Sequence, residues 1–558
     1  MYSIILKKGM IFMKFKKFLP LVILIIIPII LLLPLFISSY YIKHDTLFHF
    51  GNILAYNHNI NLFGIFNVKI LPLLGNDFGY ISNLLYPPLS HFIITIIYNI
   101  FNFFEIEFSF KLYHYLVYFL SGLTMYELSI NFSKSKKTAL FSVLIYLTFP
   151  YQLSEIYIRD AIAERLLFIF LPMIISSILH LFNGNYKKFY IFFIIGYSFG
   201  IISHLTLLFF ITILLIIFLL INYKSFLKKH ILLSLIKASI IVILLTLFYT
   251  YPIILFKFQN TLRVFNSNIM SIEIYDYALY LHDFLPFSTK FSLIHSKIDF
   301  GFSMTCLLLL IITFNYRKKI KFPKYTKSLV ILSLIIMFLM SKLFLWNLLP
   351  NSLKMIQFPW RLIVIFSILI SLISSQCISI FKSKIFLSCI IIFSLIFSFY
   401  NIKSEYDVTI NEIENIFEYK ATMGAQGEYL PINTFNNHEY YENRNHNIIS
   451  DSEINYNILL DETPNLYFEI YNLSNEAILE LPRLYYLGYK LTYNDKKIDI
   501  YENSNGFIET KIKDNGIYEL KYVGTNGMKI ASYISLFTSI ILLLYIIKTY
   551  LFTKKDSF

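Results

Sequence analysis

The strongest constraint on this chain is a succession of apolar runs, most of them long enough to cross a bilayer. A spanning helix needs about 20 predominantly apolar residues, because the hydrocarbon core is roughly 30 Å thick and a helix rises about 1.5 Å per residue. Such runs fall near 19–39, 111–131, 138–151, 166–182, 189–204, 205–222, 231–252, 302–316, 328–346, 361–380, 385–400 and 529–550. Twelve spans are therefore predicted. Composition agrees, with 57% hydrophobic residues, 15% charged residues and a mean hydropathy of +0.63. A soluble domain carries roughly 25% charged residues. An ordinary cytosolic enzyme and a disordered chain are both excluded.

Charge placement orients these runs. Short cytoplasmic loops collect lysine and arginine, and Lys14, Lys16 and Lys17 precede the first run. The N-terminus is therefore expected inside. No small-residue cleavage site follows, so the run reads as an anchor and not as a removed signal peptide. The apolar stretch at 85–104, opening Tyr86-Pro87-Pro88-Leu89, decides the rest. If it spanned, the clusters Lys134/Lys136/Lys137, Lys187/Lys188, Lys224/Lys228/Lys229, Arg317/Lys318/Lys319/Lys321 and Lys382/Lys384 would all face outside. If it lies along or dips into the membrane, all of them fall inside together with Lys554 and Lys555. The second arrangement is the expected one. It makes 41–110 a long first outer loop with one or two interfacial helices, and both termini cytoplasmic.

The same topology places 401–527 outside, between the last two spans. This stretch holds 21 acidic against 10 basic residues, whereas the remainder holds 13 against 38. Net charge is +14 overall, but its placement matches a membrane surface rather than nucleic acid. Short alternating runs such as Leu466-Tyr467-Phe468-Glu469-Ile470 and Lys490-Leu491-Thr492-Tyr493 are separated by turn signals at Asn494-Asp495, Asn505-Gly506 and Asn515-Gly516. They predict an antiparallel β-sandwich. The expected fold is thus an all-α polytopic membrane domain over 1–400, an extracytoplasmic β-rich domain over 401–527, and a final helix with a cytoplasmic tail over 528–558. Cys306, Cys377 and Cys389 lie in apolar runs and read as small core hydrophobes. Richness in Tyr, Asn, Ile, Lys and Phe points to a low-GC bacterial genome.

Outside 401–527 the acidic residues are Asp45, Asp77, Glu105, Glu107, Glu127, Glu155, Asp160, Glu164, Glu273, Asp276, Asp283, Asp299 and Asp556. All but Glu127 and Asp556 are expected on the outer side or at its helix ends. Few charges fall in mid-span, which argues against an ion-coupled transporter. Asp45 stands in Lys43-His44-Asp45-Thr46-Leu47-Phe48-His49, just past the outer end of the first span. It reads either as an interfacial charge that ends a helix or as a partly desolvated carboxylate open to lipid head groups and external solutes. In Tyr157-Ile158-Arg159-Asp160-Ala161-Ile162-Ala163-Glu164-Arg165, a helix would put Asp160 and Glu164 on one face. Arg159 there could hold a phosphate or fix an acid in its ionised form; a salt-bridged helix start is the plainer reading. In Gln357-Phe358-Pro359-Trp360-Arg361, Arg361 sits at head-group level, as a snorkelling arginine or as a ligand for a lipid phosphate.

Five strings, in this order along the chain, carry a resemblance: His44-Asp45 with His49, Phe78-Gly79-Tyr80 through Tyr86-Pro87-Pro88-Leu89, Arg159 to Glu164, Gln357 to Arg361, and Gly427-Glu428-Tyr429-Leu430-Pro431. They resemble the bacterial membrane family labelled 6-pyruvoyl-tetrahydropterin synthase-related and, more distantly, polyprenol-dependent glycosyltransferases of the GT-C superfamily. Pterin chemistry is not implied, since a pterin synthase resembles a small soluble enzyme with a three-histidine zinc site. The GT-C resemblance implies an acidic catalytic residue in the first outer loop, the position of Asp45, and a polyprenyl-phosphate sugar donor. Glu164 is the second catalytic candidate. His44, His49, Tyr86, Arg159, Asp160, Gln357 and Arg361 are the candidates for donor phosphate or substrate.

Neither Asp-Asp nor Asp-x-Asp follows the first span, so a divalent metal is compatible with the sequence and not required by it. The function so implied is hexosyl or pentosyl transfer, with inversion, from a polyprenyl-phosphate lipid to a glycan, lipid or protein acceptor at the outer face of the bacterial cytoplasmic membrane. The other classes are a lipid-linked saccharide flippase or exporter and a non-catalytic envelope assembly protein.

Overall fold

In hydrocarbon, backbone polar groups must be satisfied within the segment. The apolar runs accordingly close into helices, and the protein is mostly helical, with a β-rich region towards its C-terminus. The computed structural model describes residues 2–58, 69–266, 274–286, 298, 300–350, 353, 355–400, 408–413, 415–424, 427–473 and 476–555. Glu273, Asp299 and Asp556 of the acidic set, and 401–407 of the region expected outside, fall beyond the described residues.

Among the described residues, six helices are long and apolar enough to cross a membrane: Pro20–Ile37, Ile162–Phe182, Tyr186–Ile221, Lys229–Gln259, Pro359–Ile380 and Asn526–Lys548. Lys136–Leu147 and Pro150–Arg159, bent by 46°, supply a seventh if taken as one span. The difference from the twelve expected runs has identifiable sources. The runs at 189–204 and 205–222 form one helical stretch, interrupted at His204 by an extended backbone with φ −160° and ψ 82°. There the His204 Nδ1 accepts from the Leu207 N–H at 3.3 Å, as an N-cap does for a helix start. The runs at 302–316, 328–346 and 385–400 form the shorter helices Met304–Asn315, Thr326–Met340 and Ile385–Phe399. Ile106–Ser133 is diluted by Glu107, Lys111, His114 and Glu127. Within 85–104 the main helix is Leu89–Ile100, 12 residues, or about 18 Å.

The chain divides into two units. The first comprises Met1–His44, Ile100–Ser239 and Ile272–Glu412. The second comprises Asp45–Asn99, Ile240–Ser271 and Ile413–Phe558.

In the first unit Leu167–Phe182 is buried on almost every face and packs against Ile106–Ser133 and Tyr186–Ile221. Gly196 permits the close approach, because a Cβ there would lie 2.8 Å from Ile174 Cγ1. A polar clasp ties the other pair: Glu127 accepts from Ser176 Oγ at 2.5 Å and from His180 Nε2 at 2.8 Å. Cys306 and Cys377 are buried as expected of core residues, whereas Cys389 lies on an exposed helix face.

In the second unit the strands are β1 (Ile449–Ser450), β2 (Asn455–Glu462), β3 (Asn465–Tyr471), β4 (Ala477–Leu484), β5 (Tyr489–Tyr493), β6 (Lys496–Ile498), β7 (Ile500–Glu502), β8 (Phe507–Ile512) and β9 (Gly516–Tyr522). One antiparallel sheet has the order β1-β4-β8-β7 and the other β2-β3-β9-β5-β6. Alternation puts Leu466, Phe468 and Ile470 of β3 inward, as period-two patterning requires. Asn494 and Asp495, at φ 47° and 60°, make the tight turn between β5 and β6 that favours such residues. Both sheets contribute to one core, which also takes in Leu71, Phe78, Tyr80 and Ile81 from the first loop. Register is tied there by Leu484 N–H to Phe78 O at 3.2 Å and Thr463 Oγ1 to Asp77 O at 2.8 Å.

Candidate functional site

The site in the first unit begins with a break in regular helix. Pro150–Ser154 runs into a π-turn at Glu155–Arg159, closed by Ala161 N–H to Glu155 O at 3.2 Å. Asp160 then takes a left-handed conformation, φ 60°. A single helix carrying Asp160 and Glu164 on one face is therefore not what forms. The reversal at Asp160 aims its carboxylate into one cluster and leaves Glu164 in another.

Glu164 is the centre of the first cluster. Its Oε1 accepts from Tyr151 Oη at 2.6 Å, and its Oε2 accepts from Arg159 Nη1 at 3.1 Å. Arg361 Nε lies 3.4 Å from the same Oε2. Arg159 also donates to Glu155 and lies over the Trp360 ring, 4.7 Å from its centroid. Arg361 donates to Gln357 Oε1 at 3.1 Å and lies over Phe358 at 4.8 Å. Phe358 and Trp360 stack at 5.1 Å, so the aromatic pair of the Gln357–Arg361 string forms a platform for two guanidinium groups. His204, at the helix break, is near enough to interact electrostatically with Glu164 and Arg361. The expected residues Arg159, Glu164, Gln357 and Arg361 thus meet in space.

The two arginines differ in access. The side chains of Arg159 and Glu164 are 7% and 2% exposed, that of Arg361 13%. Arg159 is enclosed by two carboxylates, a tyrosine and a tryptophan. Arg361 holds Glu164 more loosely and is the more reachable charge.

Asp160 belongs to a second cluster. Its Oδ1 accepts from Tyr40 Oη at 2.8 Å and faces His114 Nε2 at 3.1 Å and Lys43 Nζ at 3.9 Å. Lys43 also lies over the Tyr40 ring at 3.9 Å. Burial lowers the Lys43 pKa to about 8, against the opposing attraction of Asp160. Burial, reinforced by Asp160, raises Tyr40 well above the usual phenol value. This constellation seats the segment after the first span, and His44, itself exposed, is tied by its N–H to Ile158 O at 3.3 Å.

Asp45, His49 and Tyr86 lie in the second unit. Half-buried Asp45 occupies the N-cap position of the helix Thr46–Asn57, and its carbonyl accepts from the His49 N–H at 3.1 Å. His49 Nδ1 and His91 Nε2 are 3.0 Å apart in a buried pair, with the Tyr86 ring stacked on His91 at 5.3 Å. Burial, and then His49, hold the His91 pKa well below the usual histidine range. The late string joins this unit by Tyr429 N–H to Tyr80 Oη at 3.0 Å and Val264 N–H to Glu428 O at 2.8 Å.

Tyr151, Glu155, His204, His114 and His91 were not singled out from the sequence. The spacing of Tyr151, Glu155 and Arg159, four residues apart each time, was a legible sign of one shared face. His114 and His91 carry no local motif. Among the described residues, no group of three or more His, Cys, Asp or Glu side chains is placed to hold a metal ion.

Residues 84–406 match the family described as 6-pyruvoyl-tetrahydropterin synthase related domain, a membrane protein. The chain belongs to that family. A comparison with curated proteins finds no match. The stretch matched to this 6-pyruvoyl-tetrahydropterin synthase-related family contains Tyr86, the Glu164 cluster and most of the apolar helices, while His44, Asp45, His49 and Gly427–Pro431 fall outside it.

Proposed function

We propose that this protein is an integral-membrane glycosyltransferase of GT-C type. It moves one sugar from a polyprenyl-phosphate lipid to a hydroxyl of an envelope glycan or glycolipid. The observation that carries the reading is Arg361, partly exposed on the Phe358–Trp360 platform with Glu164 at 3.4 Å. That separation is an ion pair without a tight hydrogen bond, so the guanidinium can take a phosphate while Glu164 and Gln357 keep its orientation.

In the reaction the acceptor oxygen attacks the anomeric carbon and loses its proton to a general base. The bond from that carbon to the phosphate oxygen breaks, and polyprenyl phosphate leaves with the electron pair, its charge stabilised by a fixed cation. Arg361 is assigned that role. Asp45 is the base on sequence grounds, as the carboxylate that follows the first span. One direct displacement inverts the anomeric centre. The proposal includes a twelve-span arrangement in the bacterial cytoplasmic membrane, both termini cytoplasmic and 401–527 outside.

The test is sugar transfer by the purified chain in detergent from externally supplied undecaprenyl-phosphate hexose to isolated envelope glycan. Asp45→Asn keeps the side-chain shape and removes the base, so transfer should fall about 10²–10⁴-fold with an unchanged unfolding temperature. Transfer by the variant equal to wild type removes Asp45, and wild type unable to transfer in detergent removes the enzyme reading in favour of a flippase or scaffold.

A further inference from the structure

We infer that the second unit carries a saccharide-binding groove, separate from the Arg361 cluster. It is formed by the short helix His438–Asn443 and the residues flanking it, with Ile449 of β1, has a volume of about 600 Å³, and is walled by Asn436, Glu439, Tyr440, Asn443, Arg444 and Asn445. That volume is within the roughly 300–1,000 Å³ of small-molecule sites, but the lining is amide-rich where most such sites are apolar.

The floor is rigid. Glu480 accepts from Tyr440 Oη at 2.7 Å, from Arg444 Nε at 2.6 Å and from Asn503 Nδ2 at 2.5 Å. Arg444 further donates to Asn445 Oδ1 at 3.0 Å and to Asn447 O at 2.7 Å. Its charge is thus met by Glu480, and each of its three nitrogens donates within the protein, so the groove is not built around a free cation for a phosphate. Ile449 is its one aliphatic wall residue, so it is not built for a lipid chain either.

The rim has open capacity of both signs. Among the described residues the side chains of Asn436 and Glu439 make no hydrogen bond within the protein, while Asn443 uses only its Nδ2, on Glu439 O, and Asn445 only its Oδ1. An amide offering both donor and acceptor, a carboxylate, a carbonyl oxygen and an amide N–H beside the bonded Tyr440 and Arg444 fit neighbouring hydroxyls, each of which donates and accepts. A polyhydroxylated ligand meets all four; an apolar or singly charged one leaves most unpaired. The role of the groove as acceptor subsite rests on the glycosyltransferase reading, while saccharide binding itself does not.

The experiment uses the full chain purified in a detergent without a sugar head group, titrated with maltotriose, mannotriose and chitotriose by calorimetry and saturation-transfer NMR. At least one should bind. Asn436→Ala with Glu439→Ala should weaken that binding tenfold or more, Asn443→Trp should abolish it by filling the cavity, and Arg361→Ala should leave it unchanged. These are exposed positions of the groove, so folding is checked by thermal unfolding and is expected to match wild type. No binding of any of the three sugars to wild type overturns the inference, as does binding that the groove variants do not change. If binding behaves as expected and no donor supports transfer, the groove stands and the enzyme reading falls; if transfer proceeds unaltered in groove variants, the acceptor role falls and the enzyme reading stands.

Discussion

Asp160→Asn tests the buried cluster that seats the segment after the first span. Asp160 is fully buried and meets Tyr40, His114 and Lys43. The amide keeps its shape and removes its charge, so Lys43 loses a carboxylate at 3.9 Å. Breaking a buried pair from one side costs about 3–5 kcal/mol. This pair is long, so the low end, about 3 kcal/mol, is expected near pH 6. The loss should shrink at higher pH. Folded Lys43 has a pKa of about 8 against 10.5 for an exposed lysine. Between those values the unfolded chain binds more protons, and stability rises with pH. Without Asp160 the folded pKa drops further, and the rise begins below pH 8. Near pH 9 wild-type Lys43 is already mostly neutral, so the variant has lost little ion pairing and retains a deficit of about 1 kcal/mol from weakened hydrogen bonds. Thermal unfolding in detergent near pH 6 and pH 9 reads the difference. In a Lys43→Met background, Asp160→Asn should cost the same at both pH values. An equal deficit for the single variant at both, or a pH-dependent one in the double variant, refutes the assignment to Lys43.

Arg361→Ala should weaken donor-lipid binding about 10–100-fold, since a hydrogen bond to a charged group is worth about 1.5–3 kcal/mol, while Arg361→Lys should lose less by keeping the charge; equal affinity in all three proteins, measured by lipid retention, removes Arg361 from the donor site. His91→Phe should retain the stack on Tyr86 and abolish a loss of stability on acidification. Buried His91 holds its pKa low, so below the ordinary value of 6.5 the unfolded chain takes the proton first; an undiminished difference in unfolding temperature between pH 5 and pH 7 contradicts this. Gly506→Ala should destabilise by about 2 kcal/mol or more, because φ is +81° and the new Cβ would fall 2.0 Å from Thr434 Oγ1; chemical unfolding within about 0.5 kcal/mol of wild type would show that the turn relaxes.

The membrane character of the chain and its β-rich end were legible in the sequence because both are periodic properties of local composition. Apolar length selects helix in hydrocarbon, and two-residue alternation with Asn-Asp and Asn-Gly turns selects antiparallel strands. The Gln357–Arg361 string and the Arg159–Glu164 stretch were legible as separate polar islands. Their meeting was not, because nearly 200 residues of chain lie between them and only packing of the helices closes that distance. Local composition already makes Asp160, Glu164 and Arg361 charged groups set among apolar segments, which must find partners or cost several kcal/mol each. Which partner each found was decided by tertiary structure alone: the left-handed turn at Asp160 sends that carboxylate to Tyr40, His114 and Lys43, and the extended residue at His204 brings an imidazole toward Glu164. Both are single-residue departures from helical backbone, and no periodicity in a sequence records them.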